Sequence, residues 1–225
     1  MKIEILHSPG AAAAHVALEP GEELTAESGA MICMSGDMNV STAIKQRGKG
    51  LMAGLRRMLS GESLFLNTFR PSQQGGEVYL APTLVGDVIV YQMRDGLNLV
   101  VQGSSYLASA LGVHLDLGWK GFKSFFSGES VFWIDVSGRG PVLLNAFGAV
   151  YEIDVDGEYT VDTGHIVAFE QSLDFKVTKA GRGWIGSFLG GEGLVCRFKG
   201  KGKVFCQTHN PPAFGRTVGP KLPPR

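Results

Sequence analysis

The chain is short of most features that mark a specialised surface or a familiar active site. Of its 225 residues only 19% are charged, and 21 basic side chains are balanced by 21 acidic ones, for a formal net charge of zero. Counterion release from nucleic acid needs a clustered excess of Lys and Arg, so neutralising phosphates is not the expected task. There are 3 cysteines and no CxxC pair, which removes the usual zinc framework. Apolar runs are broken by charge or glycine well before the ~18 residues of a membrane-spanning helix. The Ala11–Ala14 run is too short and wrongly flanked for a signal peptide, so the expected location is cytoplasmic. Long amphipathic helical patterns are missing as well. What is plentiful is glycine, with 32 residues, and apolar side chains, at 44%. A chain of this length buries roughly 70% of its unfolded surface, and it is too apolar to stay disordered.

The glycines recur with a period. GESLFLNTF begins at Gly61, GESVFWIDV at Gly128 and GEGLVCRFK at Gly191. Before each Gly-Glu lies an apolar trio at i, i+3, i+4 spacing: Leu55, Met58, Leu59; Phe122, Phe125, Phe126; Ile185, Phe188, Leu189. That spacing is one face of a short helix. After each motif comes a glycine-marked segment and a further strand: GGEVYLAP, GRGPVLLNA and GKGKVFCQT. Upstream, each unit opens at a glycine turn, PGEELTAES, DGLNLVVQG and DGEYTVDTG, where Asp-Gly is a strong turn signal. Self-similarity at a fixed period marks a repeat architecture. Alternation and β-branched or aromatic content give the strands. The class read from this is all-β, a sandwich or jelly-roll-like barrel.

Two readings of the repeated Gly-Glu stay open. Locally, Gly61, Gly128 and Gly191 end each short helix in the left-handed region, while Glu62, Glu129 and Glu192 accept backbone N–H bonds or pair with a base. Alternatively, the three glutamates converge on a pseudo-threefold axis. After the third unit, 211–225 carries 5 prolines and reads as an extended or disordered tail.

Catalytic patterns are scarce. The five histidines, His7, His15, His114, His165 and His209, form no HExxH or HxxxH arrangement, and no G-x-S-x-G elbow occurs. Gly181–Gly186 spells G-x-G-x-x-G but lacks the strand-to-helix context of a dinucleotide cradle. Cys196 and Cys206 flank KGKGK. A hairpin centred on Lys201 sets them opposite each other on one inner face with Leu194, Phe198 and Val204. They read as two reduced core thiols or as a redox-active pair. Basic residues cluster at Lys45–Arg57 and at Lys199, Lys201 and Lys203. With the apolar trios they suit an interface plug, a protein partner or an anionic membrane surface.

GESLFLNTF, the preceding LRRMLS and the early ESGAMICMSGDMNV resemble a family of bacterial and archaeal proteins. The family is related to the yeast mitochondrial-biogenesis protein called altered inheritance of mitochondria twenty-four. The likeness runs from Ile3 to about Thr208. It implies a fold similar to the tryptophan RNA-binding attenuation protein, a sandwich of the double-stranded β-helix type, with three repeats in one chain and a trimeric assembly. It brings no catalytic residues. The yeast relative is mitochondrial and tied to inner-membrane organisation, but this chain shows no Arg-rich transit peptide.

The expectation is one domain over 1–210, in units of about 1–93, 94–155 and 156–210. Its predicted role is a non-enzymatic scaffold or interaction protein, assembled as a homotrimer and acting near a membrane. The apolar trios and adjacent Gly-Glu pairs carry assembly or partner contact. No catalytic residue, cofactor or metal is expected, and nucleic acid is not favoured as a partner. The alternatives are a small-molecule or RNA-binding module on the attenuation-protein plan and a redox protein using Cys196 and Cys206.

Overall fold

The computed structural model describes residues 1–45, 64–117, 133–179 and 194–223. Short strands dominate them. The first are β1 (Lys2–Leu6), β2 (Ala13–Leu18), β3 (Leu24–Glu27), β4 (Met31–Met34), β5 (Asn39–Lys45), β6 (Leu64–Arg70) and β7 (Gly76–Leu80). There follow β8 (Val88–Met93), β9 (Leu99–Gln102), β10 (Tyr106–Ala110), β11 (Val113–Asp116), β12 (Trp133–Gly138) and β13 (Gly140–Asn145). The last are β14 (Val150–Asp162), β15 (Ile166–Glu170), β16 (Asp174–Lys179) and β17 (Leu194–Gln207). Side-chain alternation decides which face each presents. In β2 the buried positions are Ala14, Val16 and Leu18, with His15 and Ala17 on the other face, the period of two that a half-buried strand requires.

Three open antiparallel sheets result, ordered β1-β2-β7-β4, β5-β6-β3-β10-β13-β8 and β11-β12-β9-β15-β17-β14, with β16 also pairing β17. They enclose three apolar cores. Ala14, Val16, Val78 and Leu80 of the first sheet meet Leu24, Phe69 and Leu107 of the second. Leu64, Tyr106 and Leu144 of the second meet Leu99, Ile134 and Val136 of the third. The third sheet folds over itself, so that Trp133, Phe169, Phe198 and Cys206 pack together. The architecture is all-β and sandwich-like, as the alternation predicts.

Glycines placed by the sequence at hairpin turns act instead as corners. β12 and β13 are separated by Arg139 alone, yet β12 lies in the third sheet and β13 in the second. Gly138 and Gly140, at φ +95° and +128°, bend the strand from one layer into the next, which only glycine does without strain. The corresponding stretches near the C-terminus do not break at all. β14 runs through Asp156-Gly157 and β17 through Lys199–Lys203 as paired strands, with Gly157 opposite Gly200. The expected hairpin at Lys201 is therefore absent.

Past the last strand, Pro211–Val218 forms helix α1, where proline content alone favours an extended tail. The prolines occupy the first turn, whose N–H groups need no intrahelical acceptor. The Asn210 side chain accepts from the Ala213 N–H at 3.1 Å, and Phe214 packs edge-on against Phe147 at 5.2 Å. No helix among the described residues is long and apolar enough to cross a membrane.

Candidate functional site

The assembly candidates read from the sequence lie outside the described residues. These are Leu55, Met58, Leu59, Gly61 and Glu62, then Phe122, Phe125, Phe126, Gly128 and Glu129, then Ile185, Phe188, Leu189, Gly191 and Glu192. The G-x-G-x-x-G stretch at Gly181–Gly186 lies outside as well. The strands that follow the Gly-Glu motifs are described. β6 sits between β5 and β3, β12 between β11 and β9, and the first half of β17 between β16 and β14.

The cysteine pair is not a pair. Cys196 and Cys206 lie on one continuous strand, β17, and both are free thiols. Cys196 stands opposite Val161 and Val177, and Cys206 opposite Tyr151 and Ile166. The predicted inner face holds for Cys196, Phe198, Val204 and Cys206, which share one core. The two cysteines do not face each other across a hairpin, because β17 runs on through Lys201 paired with β14. Burial pushes the Cys196 thiol up to about 12 and the Cys206 thiol up to about 11, against an ordinary 9.0. A thiol reagent at pH 8 is therefore expected to leave both of them untouched in the folded protein. Cys196 and Cys206 should react only after denaturation; rapid reaction of more than one thiol in the folded protein contradicts this.

The basic stripe of β17 is also spoken for. Lys199 reaches Glu158 at 3.3 Å, Lys201 reaches Asp156 at 3.6 Å, and Lys203 contacts both Glu152 and Asp154. Exposed pairs of this kind stabilise little, but the carboxylates cancel the positive field that an anionic surface needs. The histidines stay apart. His15 stacks on Tyr79 at 4.4 Å and bonds Glu77 at 2.9 Å, whereas His165 Nδ1 meets the Gln207 carbonyl at 2.8 Å.

One half-buried carboxyl stands out at the end of β3. Desolvation raises Glu27 from 4.5 to about 7. The folded chain therefore keeps a proton that the unfolded chain releases between these values, and stability falls as pH rises from about 4.5 to 7. Glu27 faces Leu66 as Gln102 faces Trp133, so a neutral side chain already serves the matching position. Glu27→Gln is expected to be more stable than the parent above pH 7 by up to about 3 kcal/mol. The two should coincide below pH 4, and urea melts at both pH values check it.

Strand edges give the clearest unpartnered surface. β4 pairs β7 on one side, and the Glu158–Asp162 half of β14 pairs β17 on one side. Neither has a second neighbour among the described residues. Each carries open apolar side chains: Met31 is 42% exposed and Ile32 56% on β4, and Tyr159 49% on β14. Over Tyr159, Phe175 and Phe198 lies a cleft of about 420 Å³ rimmed by Lys199 and Glu158. A second cleft of about 580 Å³ is lined by Met1, Ile3, Val90 and Leu111. The glutamates at its mouth are engaged, Glu22 with the Met1 ammonium and Glu23 with Arg70 at 2.7 Å. Sequence gave no sign of the open edges, because Met31–Met34 is as apolar as strands that are buried.

Comparison with known proteins gives a consistent result. The profile of a family described as mitochondrial biogenesis AIM24 matches residues 3–209. An uncharacterised protein of Streptococcus pyogenes serotype M6 is 30% identical over 219 residues, covering 92% of this chain and 85% of that protein. The crystal structure of a Streptococcus pyogenes protein superposes with a TM-score of 0.79 at 26% identity, over 98% of this chain and 99% of the other.

Proposed function

This chain belongs to the mitochondrial biogenesis AIM24 family, and on that premise we propose that it is a non-enzymatic scaffold that assembles with copies of itself. The observation that carries the reading is that β4, with Met31 and Ile32 exposed, and the second half of β14 each lack a second neighbour among the described residues, in a fold that pairs its central strands on both sides. Exposed edges of this kind invite further strands, and oligomers are usually made of identical chains.

The internal threefold pattern supports the same reading. One unit consists of β2 to β7, the next of β8 to β13, the third of β14 to β17. In each, one strand carries a register shift at the same place, between Met31 and Cys33, Tyr106 and Ala108, and Ile166 and Ala168. A 3-10 turn precedes the latter two, at Gly103–Ser105 and Thr163–His165. On this reading the boundaries fall before β8 and before β14, a few residues ahead of those near 93 and 155. The two layers per unit suit the attenuation-protein-like, double-stranded-helix plan. The separated histidines and the raised thiols favour a role without catalysis.

Native mass spectrometry of the full chain tests the proposal. A discrete homo-oligomer is expected, a trimer in the form we favour; a monomer at micromolar concentration overturns it. The membrane part rests on the apolar and basic sequence around Leu55 and Phe122, and co-sedimentation with anionic vesicles checks it. Absence of pelleting removes that part alone. The small-molecule alternative is supported by the cleft beside Met1, whose size suits an organic ligand, and a retained adduct in the same spectrum would favour it.

A further inference from the structure

We infer that copies of this chain join head to tail by pairing β4 of one copy with the Glu158–Asp162 half of β14 of the next, in a register fixed by the two joints already present inside the chain. The inference rests on the self-assembly proposed above and names its interface.

Two junctions link the units within one chain, and they are alike. At the first, β10 runs antiparallel to β3 with Ala108 opposite Ala26, Ser109 opposite Thr25 and Ala110 opposite Leu24. At the second, β15 runs antiparallel to β9 with Ala168 opposite Val101, Phe169 opposite Val100 and Glu170 opposite Leu99. Each joint therefore uses the strand after the 3-10 or tight turn of one unit and the strand before that turn in its neighbour. The first unit has a strand of the former type with no neighbour on that side among the described residues, β4. The third has a strand of the latter type with none there either, the second half of β14. Aligning the register shifts sets Cys33 level with Ala108 and Ala168. Counting four residues back from Ile166, as from Tyr106, sets Asp162 level with Gln102 and Val161 level with Val101. The joint between copies then places Cys33 opposite Val161, Met34 opposite Thr160 and Ser35 opposite Tyr159.

Burial agrees residue by residue. Tyr106, Leu107 and Ala108 are wholly buried at the first joint, and Ile166, Val167 and Ala168 at the second. Their counterparts Met31, Ile32 and Cys33 are exposed. On the other partner, Leu99 is wholly buried while its counterpart Tyr159 is exposed. On β4 the side chains are those of an interior, missing the neighbour that makes the interior. Joining different surfaces of identical chains gives a closed ring when the rotation per joint closes. A ring leaves no edge of either type unpaired.

The test uses the full-length chain. In a Cys33→Ser background, the double variant Met34→Cys/Thr160→Cys brings two thiols level across the joint. Mild oxidation is expected to link copies into a covalent oligomer, seen on a non-reducing gel. Met34→Cys/Tyr159→Cys is the register control, because neighbouring strand residues point to opposite faces; it should remain unlinked. A second variant, Ile32→Lys, puts a charge where Leu107 and Val167 are buried at the internal joints. It is expected to abolish the oligomer while leaving the circular dichroism spectrum and melting of the single chain unchanged, since Ile32 is open there. A native oligomer that does not cross-link through 34 and 160 and survives Ile32→Lys overturns this interface but leaves self-assembly standing. A wild-type protein that is monomeric overturns both.

Discussion

Phe169→Ala is expected to destabilise the protein by about 4 kcal/mol, at the upper end of what one core truncation does. Phe169 is wholly buried and is the hub of an aromatic cluster. Its ring centroid lies 5.0 Å from Phe198, 5.2 Å from Phe175 and 5.9 Å from Trp133. Tilted and edge-on contacts at these distances each add to the burial term. They also tie together β12, β15, β16 and β17, so a void here loosens four strands at once. For a chain of this size a loss of that magnitude lowers Tm by roughly 8–16 °C. Urea denaturation followed through tryptophan emission measures it, with Trp133 reporting on this core directly. A loss below about 1 kcal/mol would mean that the cluster collapses to fill the space.

Gly86→Ala is expected to be comparably severe for a different reason. A Cβ at position 86 would sit 1.9 Å from the carbonyl oxygen of Ala146 and 2.7 Å from the backbone nitrogen and oxygen of Gly148. These are main-chain atoms, so no rotamer change relieves the clash. The crossing is held by backbone bonds from Asp87 N–H to the Gly148 carbonyl at 2.8 Å and from Gly148 N–H to the Val85 carbonyl at 3.1 Å. On its other side Ala12 N–H donates to the Gly86 carbonyl at 2.8 Å. Three chain segments meet there because the residue has no side chain. Separating them breaks several bonds between partly desolvated groups, and the cost is expected to be at least about 3 kcal/mol. Gly10→Ala is the control. Nothing lies within 4 Å of a Cβ at Gly10, and its effect should stay within about 0.5 kcal/mol. Equal melting of the two variants would show that the crossing can open at no cost.

Much of the strand content was legible because alternation is local. The alternation in GESVFWIDV predicts a strand after its Gly-Glu, and β12 begins at Trp133 within it. The inner face of Cys196, Phe198, Val204 and Cys206 was read from the same period and is found in one core. The geometry of those cysteines was not legible. Gly-Lys-Gly-Lys permits a reversal, but nothing local distinguishes a reversal from a strand that keeps its direction when a long neighbour runs alongside. Here β14 pairs with β17 from Val150 to Asp162, and thirteen residues of continuous ladder outweigh the turn preference of the glycines. Lys199, Lys201 and Lys203 looked like a basic patch because their acidic partners, from Glu152 to Glu158, are more than forty residues away in sequence.

The amino-acid sequence by itself determined the class of structure, all-β and sandwich-like, since hydrophobic period and backbone freedom are properties of neighbouring residues. Tertiary structure alone decided which of the apolar strands are covered. Met31–Met34 and Tyr106–Ala110 are similar as text. They differ in exposure because β10 has β3 and β13 on its two sides while β4 has only β7 among the described residues, and adjacency between distant segments is written in no single one of them.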